Sequence, residues 1–457
     1  MQRTVSPVTG QVFERPLASH AAIDATLTAA AAGAASWRRV PLAERIRLVG
    51  AFVDAVTGRS RLLAHELTLQ MGRPIAQTPG EIAGFADRAR TMLALGPSAL
   101  ADVRPPPKPG FERFVRREPL GVVLVLAPWN YPWLTAVNAI VPALVAGNAV
   151  LLKHSDQTPL VAERLGQAAE EAGLPAGVFA FLHLDHPQVS RVVADPRVDF
   201  VAFTGSVEGG RAVHAAAAGT YKAVGLELGG KDPAYIRPDV DVAKVAAAVA
   251  DGAFYNSGQS CCAVERVYVH RDVYAEVVDA MVAAAEAYVL GDPLDPSTTL
   301  GPVVRERSAD AIRAQVAAGV AAGARPLVDP SRWGALRPMW VAPQVLVDVD
   351  HSMALMTEET FGPVVGVMAV DDDAQAIALM NDSRYGLTAS VWTDDAEVAL
   401  SLAEQLDTGT VFQNRCDALD PELAWVGVRD SGRGCTLSRV GYEHLTRPKS
   451  FHLRREW

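Results

Sequence analysis

Between Gly121 and Leu152 the chain carries no charged side chain. On length alone such a segment could cross a bilayer, which takes about 20 apolar residues. Pro128, Asn130, Pro132, Asn138, Pro142, Gly147 and Asn148 interrupt it, so no piece reaches about 18 continuous apolar residues. The segment therefore reads as a buried strand, a turn, a helix and a second strand, and no membrane partner is expected.

From Gly121 onward a short apolar run, a turn and an amphipathic stretch alternate: GVVLVLA, NAVLLK, VFAFLHL, VDFVAFTG and YKAVGLELGG. This rhythm indicates βαβ units and a mostly parallel, doubly wound sheet. After Gly230 a second series follows, with AVERVYVH, WVAPQVLVDV, FGPVVGVMAV, LTASVWT and GTVFQN as strand candidates. The fold class is thus α/β with a second α/β lobe; 457 residues are more than one core usually serves, so two or three domains or lobes are expected. Residues 21–95 read as alanine-rich helices. VRPPPKP, Val103 to Pro109, cannot be helical, and FERFVRREPLG after it alternates as an exposed strand does.

A net charge of −10, with acids spread along the chain, gives no reason to expect a nucleic-acid partner. The start, MQRTVSPVTGQVF, shows no export signal, so a cytoplasmic protein is expected. Four cysteines, Cys261, Cys262, Cys416 and Cys435, are too few for a disulfide scaffold. No CxxC or HxxxH spacing offers a metal site.

Four motifs have side chains suited to chemistry. Cys261, in FYNSGQSCCAVER, stands after Ser257-Gly258-Gln259 at a helix-to-loop junction, where a thiol can be presented as a nucleophile; a buried apolar thiol is the plainer alternative. Glu227 ends an apolar strand in LELGGKDP, where a carboxylate is costly unless it has a partner or moves a proton. Asn130 lies in PWNYP, whose prolines stiffen a turn that can hold an amide as an oxyanion donor. FTGSVEGG, Phe203 to Gly210, follows a strand and opens a helix, a place for a pyrophosphate, although it is not GxGxxG.

Taken together, PWNYP, LLKHSDQTP, FTGSVEGG, LELGGKDP, GQSC and EETFGPV occur in the order of one family over nearly the whole chain. The chain resembles the hydrolytic NAD(P)+-dependent aldehyde dehydrogenases, and the separation 261 − 227 = 34 matches as well. The resemblance implies that Cys261 is the nucleophile, Glu227 the general base, and Asn130 the oxyanion donor together with the Cys261 backbone N–H. It implies cofactor contacts at Trp129, Lys153, Asp156, Gly205, Ser206, Glu359 and Phe361. An aldehyde tunnel is implied with Tyr131, Thr135, Asn138, Tyr255 and Ser260 on one part of its wall. Cys262, Arg415, Asp417, Leu419 and Trp425 complete it.

The implied architecture has a Rossmann-like cofactor domain (1–100 and 119–228), an α/β catalytic domain (229–445) and a small β-hairpin oligomerisation region (101–118 and 446–457). A homodimer or homotetramer is expected. NAD+ is the expected cofactor, with NADP+ as the alternative, because a carboxylate at Asp156 would repel a 2′-phosphate. A small or medium aldehyde is expected as substrate, and Tyr131, Tyr255 and Trp425 suggest one bearing an amino or quaternary ammonium group. A CoA-acylating relative is the rival enzyme, against which Glu227 speaks, and a catalytically idle member is the rival outside enzymes. Two departures from the family's pattern stand out: HLDHPQ where a Gly-rich turn is usual, and SGRGCT where SGxGRE is usual.

Overall fold

The computed structural model describes residues 1–456; Trp457, the end of the expected 446–457 segment, lies outside the described residues. The charge-free segment forms strand Val122–Ala127, helix Pro132–Ala146 and strand Ala149–His154. Its strands are apolar at nearly every position because both faces are covered. Val123, Val125, Val150 and Leu152 enter one core, and Val122, Leu124, Leu126 and Leu151 enter another across the sheet. That is the condition under which a parallel strand loses its polar alternation. Among the described residues no helix is long and apolar enough to cross a membrane.

Two sheets carry the molecule. The six-stranded sheet runs Gly432–Arg433, Ala223–Glu227, Phe200–Thr204, Val122–Ala127, Ala149–His154, Phe179–Phe181. All neighbours are parallel except Gly432–Arg433. Strand order reverses between Val122–Ala127 and Phe200–Thr204, and ligands of doubly wound sheets bind at the carboxyl ends of strands at such a reversal. The seven-stranded sheet runs Arg325–Pro326, Gln344–Val347, Val364–Val370, Val264–His270, Asp232–Ile236, Thr388–Trp392, Thr410–Gln413 and is parallel apart from its first member.

Strand Gly432–Arg433 crosses the expected lobe boundary, joining the first sheet from a stretch assigned to the second lobe. Gly432 permits it: its φ is 131°, and a Cβ there would lie 2.0 Å from the Leu226 carbonyl oxygen. In place of a hairpin, the region expected at 101–118 and 446–457 holds strand Phe111–Pro119 paired antiparallel with Thr446–Arg454, with Phe114 stacked on Phe451 at 4.5 Å. Its pairing partner in sequence is more than 300 residues away, so only the fold brings the two strands together.

Candidate active site

Local chemistry explains the loop that carries Cys261. Helix Val242–Phe254 ends, and Asn256, Ser257 and Gly258 then take left-handed conformations at φ 54°, 57° and 68°. Gly258 is required there, since a Cβ would fall 2.1 Å from the Gly362 carbonyl oxygen. Asn256 fixes the turn by donating to the carbonyls of Asn130 and Gln259, each at 3.2 Å. Gln259 fixes its other end, donating to the Asn256 carbonyl at 3.0 Å and accepting from the Val304 N–H at 2.8 Å. Cys261 follows, half-buried, and Cys262 is buried.

The PWNYP turn meets this loop. Helix Pro132–Ala146 starts with proline, and its next free N–H groups, of Trp133 and Leu134, donate to buried Glu81 at 2.8 and 3.5 Å. Glu81 pairs with buried Arg73, which also donates to the Asn130 carbonyl and, at 3.0 Å, to Asn256 Oδ1. The Asn130 backbone is thus bound from two sides, while its side-chain amide has no protein partner among the described residues and borders the same cavity as Cys261.

Three cavities converge here. One of about 490 Å³ is lined by all ten residues expected for the tunnel, Tyr131, Thr135, Asn138, Tyr255, Ser260, Cys262, Arg415, Asp417, Leu419 and Trp425, together with Cys261, Glu227 and Thr204. A second of about 170 Å³ is lined by Trp129, Asn130, Gly205, Ser206, Glu359 and Phe361, and again by Cys261, Glu227 and Thr204. A third of about 430 Å³ lies at the strand-order reversal, between Leu126–Ala127 and Phe203–Thr204, and includes Lys153 and Ser206. Cys261, Glu227 and Thr204 are therefore the junction between a tunnel and a cleft.

Glu227 is held by two hydroxyls: Thr204 donates to Oε2 at 2.9 Å and Thr436 donates to Oε1. Burial pushes its carboxyl above the usual range, against these two bonds. Thr436 is the last residue of the atypical SGRGCT. The cleft offers the N-terminus of helix Val207–Ala217, capped by Ser206, whose hydroxyl accepts from the Gly209 N–H at 3.1 Å. Phe361, at φ 52°, meets the Trp129 ring edge-on at 5.6 Å. Its loop is fixed by Glu265, which accepts from the N–H groups of Thr360 and Phe361 at 2.8 and 2.9 Å and pairs with Lys231 at 2.6 Å. Burial, with the Glu265 charge, pushes the Glu359 carboxyl up to about 8.

Of the residues expected from sequence, Asp156 alone does not line one of these cavities. Its Oδ1 accepts from Arg305 Nη2 at 2.9 Å, and although burial opposes it, Arg305 and Lys153 hold its carboxyl below the ordinary value. Sequence reasoning passed over Arg73, Glu81, Arg88 and Asp251, which also line the tunnel. Arg88 is 8% exposed, and its Nη1 donates to the Leu134 carbonyl at 2.8 Å and to Asn138 Oδ1 at 3.3 Å. No carboxylate forms an ion pair with it among the described residues, and burial lowers its pKa while Glu227 raises it. Nor do the described residues contain a cluster of histidine, cysteine and acidic groups fit for a metal.

Comparison with known proteins agrees with this geometry. The NADP(+)-dependent succinate-semialdehyde dehydrogenase of Deinococcus radiodurans is 37% identical over 451 residues, covering 98% of this chain and 93% of that one. The succinate semialdehyde dehydrogenase [NAD(P)+] of Escherichia coli is 35% identical, covering 96% and 95%. The crystal structure of an NAD-dependent aldehyde dehydrogenase from Sinorhizobium meliloti superposes with a TM-score of 0.95 at 34% identity, over 99% of this chain and 91% of that one. The family model described as "Aldehyde dehydrogenase family" matches residues 1–451, and the chain belongs to that family.

Proposed function

We propose that this oxidoreductase converts an aldehyde bearing a terminal carboxylate to the dicarboxylic acid, through a thioester on Cys261. The convergence of tunnel and cleft on Cys261 and Glu227 supports the covalent route. Cys261 sulfur adds to the aldehyde carbon, and the carbonyl oxygen becomes an oxyanion that the Asn130 amide and the Cys261 backbone N–H receive. The nicotinamide ring, when bound, accepts hydride. Glu227 then takes a proton from water, the resulting nucleophile attacks the thioester, and the carbon–sulfur bond breaks with the sulfur leaving as thiolate.

The cleft suits a dinucleotide. A capped helix N-terminus offers first-turn N–H groups to a pyrophosphate, Lys153 supplies a cation, and Val189, Val193 and Val213 make an apolar wall for a flat ring.

Arg88 carries the substrate assignment. A desolvated guanidinium with no carboxylate partner is costly, and this one borders the tunnel beside the catalytic groups, so a carboxylate arriving with the substrate completes it. Relatives named for succinate semialdehyde support the reading. The Arg88→Met enzyme is expected to lose roughly 30- to 150-fold in kcat/KM for succinate semialdehyde, the worth of a charged hydrogen bond of about 2–3 kcal/mol, and to lose little with butanal. An equal loss with both aldehydes would show that Arg88 serves the catalytic groups and not the substrate. A second reading, an aminoaldehyde, is favoured by the acids Asp417 and Asp251 in the tunnel wall. Against it, the Arg73 guanidinium already covers one face of the Tyr131 ring at 4.2 Å. Preference for 4-aminobutanal over succinate semialdehyde would decide for it.

Because Arg305 neutralises Asp156, the discrimination expected from that carboxylate is reduced, and we propose that both NAD+ and NADP+ are used. Arg305→Ala leaves Asp156 with Lys153 as its neighbouring cation and is expected to lower kcat/KM for NADP+ relative to NAD+ by about fivefold, the worth of one unit-charge interaction of about 1 kcal/mol in water-like surroundings. An unchanged ratio in the variant would detach Asp156 from cofactor choice. In the two-stranded sheet of Phe111–Pro119 with Thr446–Arg454, Val103 bridges the outer edge of the first strand at Val115, while the outer edge of Thr446–Arg454 has no strand paired to it among the described residues, which supports the proposal that this sheet mediates assembly into a dimer or tetramer.

A further inference from the structure

Ser260 precedes the nucleophile and Cys262 follows it, and a single oxygen holds both. Asp417 Oδ1 accepts from Ser260 Oγ at 2.7 Å and from Cys262 Sγ at 3.1 Å. Asp417 comes from a distant element, the loop after edge strand Thr410–Gln413, where it takes a left-handed conformation at φ 42°. Aspartate and asparagine tolerate that backbone better than other side chains, so the residue type has a structural reason as well. Structure alone does not require its carboxylate to reach across to both neighbours of Cys261.

We infer that Asp417 is a positioning residue: it clamps the peptide on both sides of Cys261, fixing the sulfur and the backbone N–H, and keeps Cys262 engaged as a donor. The inference rests on Cys261 being the nucleophile. A tetrahedral adduct needs sulfur, oxyanion and donors aligned, and a shift of about 1 Å in such a site costs on the order of a hundredfold in rate.

Charged and titratable groups surround the clamp: Arg73, Asp251, the phenols Tyr131 and Tyr255, and the thiols Cys262 and Cys416. Burial pushes the Asp417 carboxyl up to about 6 although Ser260 and Cys262 donate to it. Below that pH the neutral acid is a weaker acceptor and the Cys262 thiol is held less firmly.

The test compares full-length Asp417→Ala and Asp417→Asn with the unaltered enzyme. Steady-state kinetics with one aldehyde is paired with iodoacetamide labelling of Cys261 and Cys262, read by peptide mass spectrometry across the pH range spanning Asp417 titration. Asp417→Ala is expected to lower kcat roughly 10- to 100-fold with a smaller change in KM, and to raise the labelling of Cys262 relative to Cys261. Asp417→Asn keeps an acceptor oxygen and tolerates the backbone, so it should restore most of kcat, and its labelling ratio should no longer change as pH falls through the Asp417 range. Unchanged kcat and labelling in Asp417→Ala overturns the clamp. So does an Asp417→Asn enzyme whose labelling ratio follows pH as before, whether or not the alanine variant folds. If Cys261 is not labelled in the unaltered enzyme, the assignment of the nucleophile fails instead.

Discussion

Cys261→Ala is expected to abolish aldehyde oxidation, lowering kcat by about 10⁴-fold or more, the scale seen when a covalent nucleophile is removed. Cys262→Ala is expected to stay within about tenfold of the unaltered enzyme, as the loss of one small buried side chain would suggest. The asymmetry follows from position. Cys261 borders the tunnel and the cleft, whereas Cys262 borders the tunnel only and is buried. The Cys261 thiol beside it, burial and the Asp417 charge together push the Cys262 thiol well above its ordinary value, so it remains protonated and a poor nucleophile. Steady-state NADH formation with succinate semialdehyde measures both variants, with thermal melting to establish that each is folded. Substantial turnover in Cys261→Ala would overturn the covalent route.

Glu227→Gln is the second variant with a large expected effect. It keeps the shape, with one threonine hydroxyl still donating to the amide oxygen and the other now accepting from the amide NH2, but cannot take a proton, so thioester hydrolysis should fall by about 10²- to 10⁴-fold, the usual worth of general-base catalysis. Rapid mixing with aldehyde and NAD+ should give a burst of NADH near one per active site, followed by little turnover. The unaltered enzyme should show a pH limb that the variant lacks. Burial raises the Glu227 carboxyl while Thr436 and Thr204 oppose the shift. The group is therefore still protonated, and inert as a base, at a pH where a free glutamate near 4.3 would be ionised. Deacylation should rise as pH climbs through that elevated value and level off above it. Full steady-state turnover in Glu227→Gln would remove Glu227 from the mechanism, and acceleration by added coenzyme A would point to acyl transfer in place of hydrolysis.

Strands buried on both faces and residues adjacent in sequence were legible before the fold was known. Apolar runs mark every long strand of the two sheets but one. The exception is Asp232–Ile236, in the middle of the seven-stranded sheet, because Pro233 argues against a central strand. The sheet accommodates the proline with a register shift between Val264 and Arg266 opposite it. The ten residues expected for the tunnel wall come from the resemblance at the motifs around Asn130, Cys261 and Trp425, and they line one cavity. Arg73, Glu81 and Arg88 were not legible, since Arg73 lies on the loop between helices Ser60–Met71 and Thr78–Ala99 and the other two lie on the second of these helices, far upstream of Cys261, and nothing in their own neighbourhood distinguishes them from surface charges. Asp156 shows the opposite limit: its position in the motif was visible, while its engagement by Arg305, 149 residues away, was not.

Arg73 has a consequence for how the molecule holds together. One buried guanidinium joins Glu81 on helix Thr78–Ala99, the Asn130 carbonyl before helix Pro132–Ala146, and Asn256 on the loop leading into the seven-stranded sheet. If the second lobe loosened alone, the Arg73–Glu81 pair would stay within the first lobe, but Arg73 would lose Asn256 Oδ1 and the Asn130 carbonyl would lose the Asn256 amide, two buried hydrogen bonds worth about 2–4 kcal/mol together, one of them being to a charge. Partial unfolding is thereby disfavoured against complete unfolding. The same residue that holds the Asn130 turn therefore also ties that turn to the loop of the second lobe that carries Cys261.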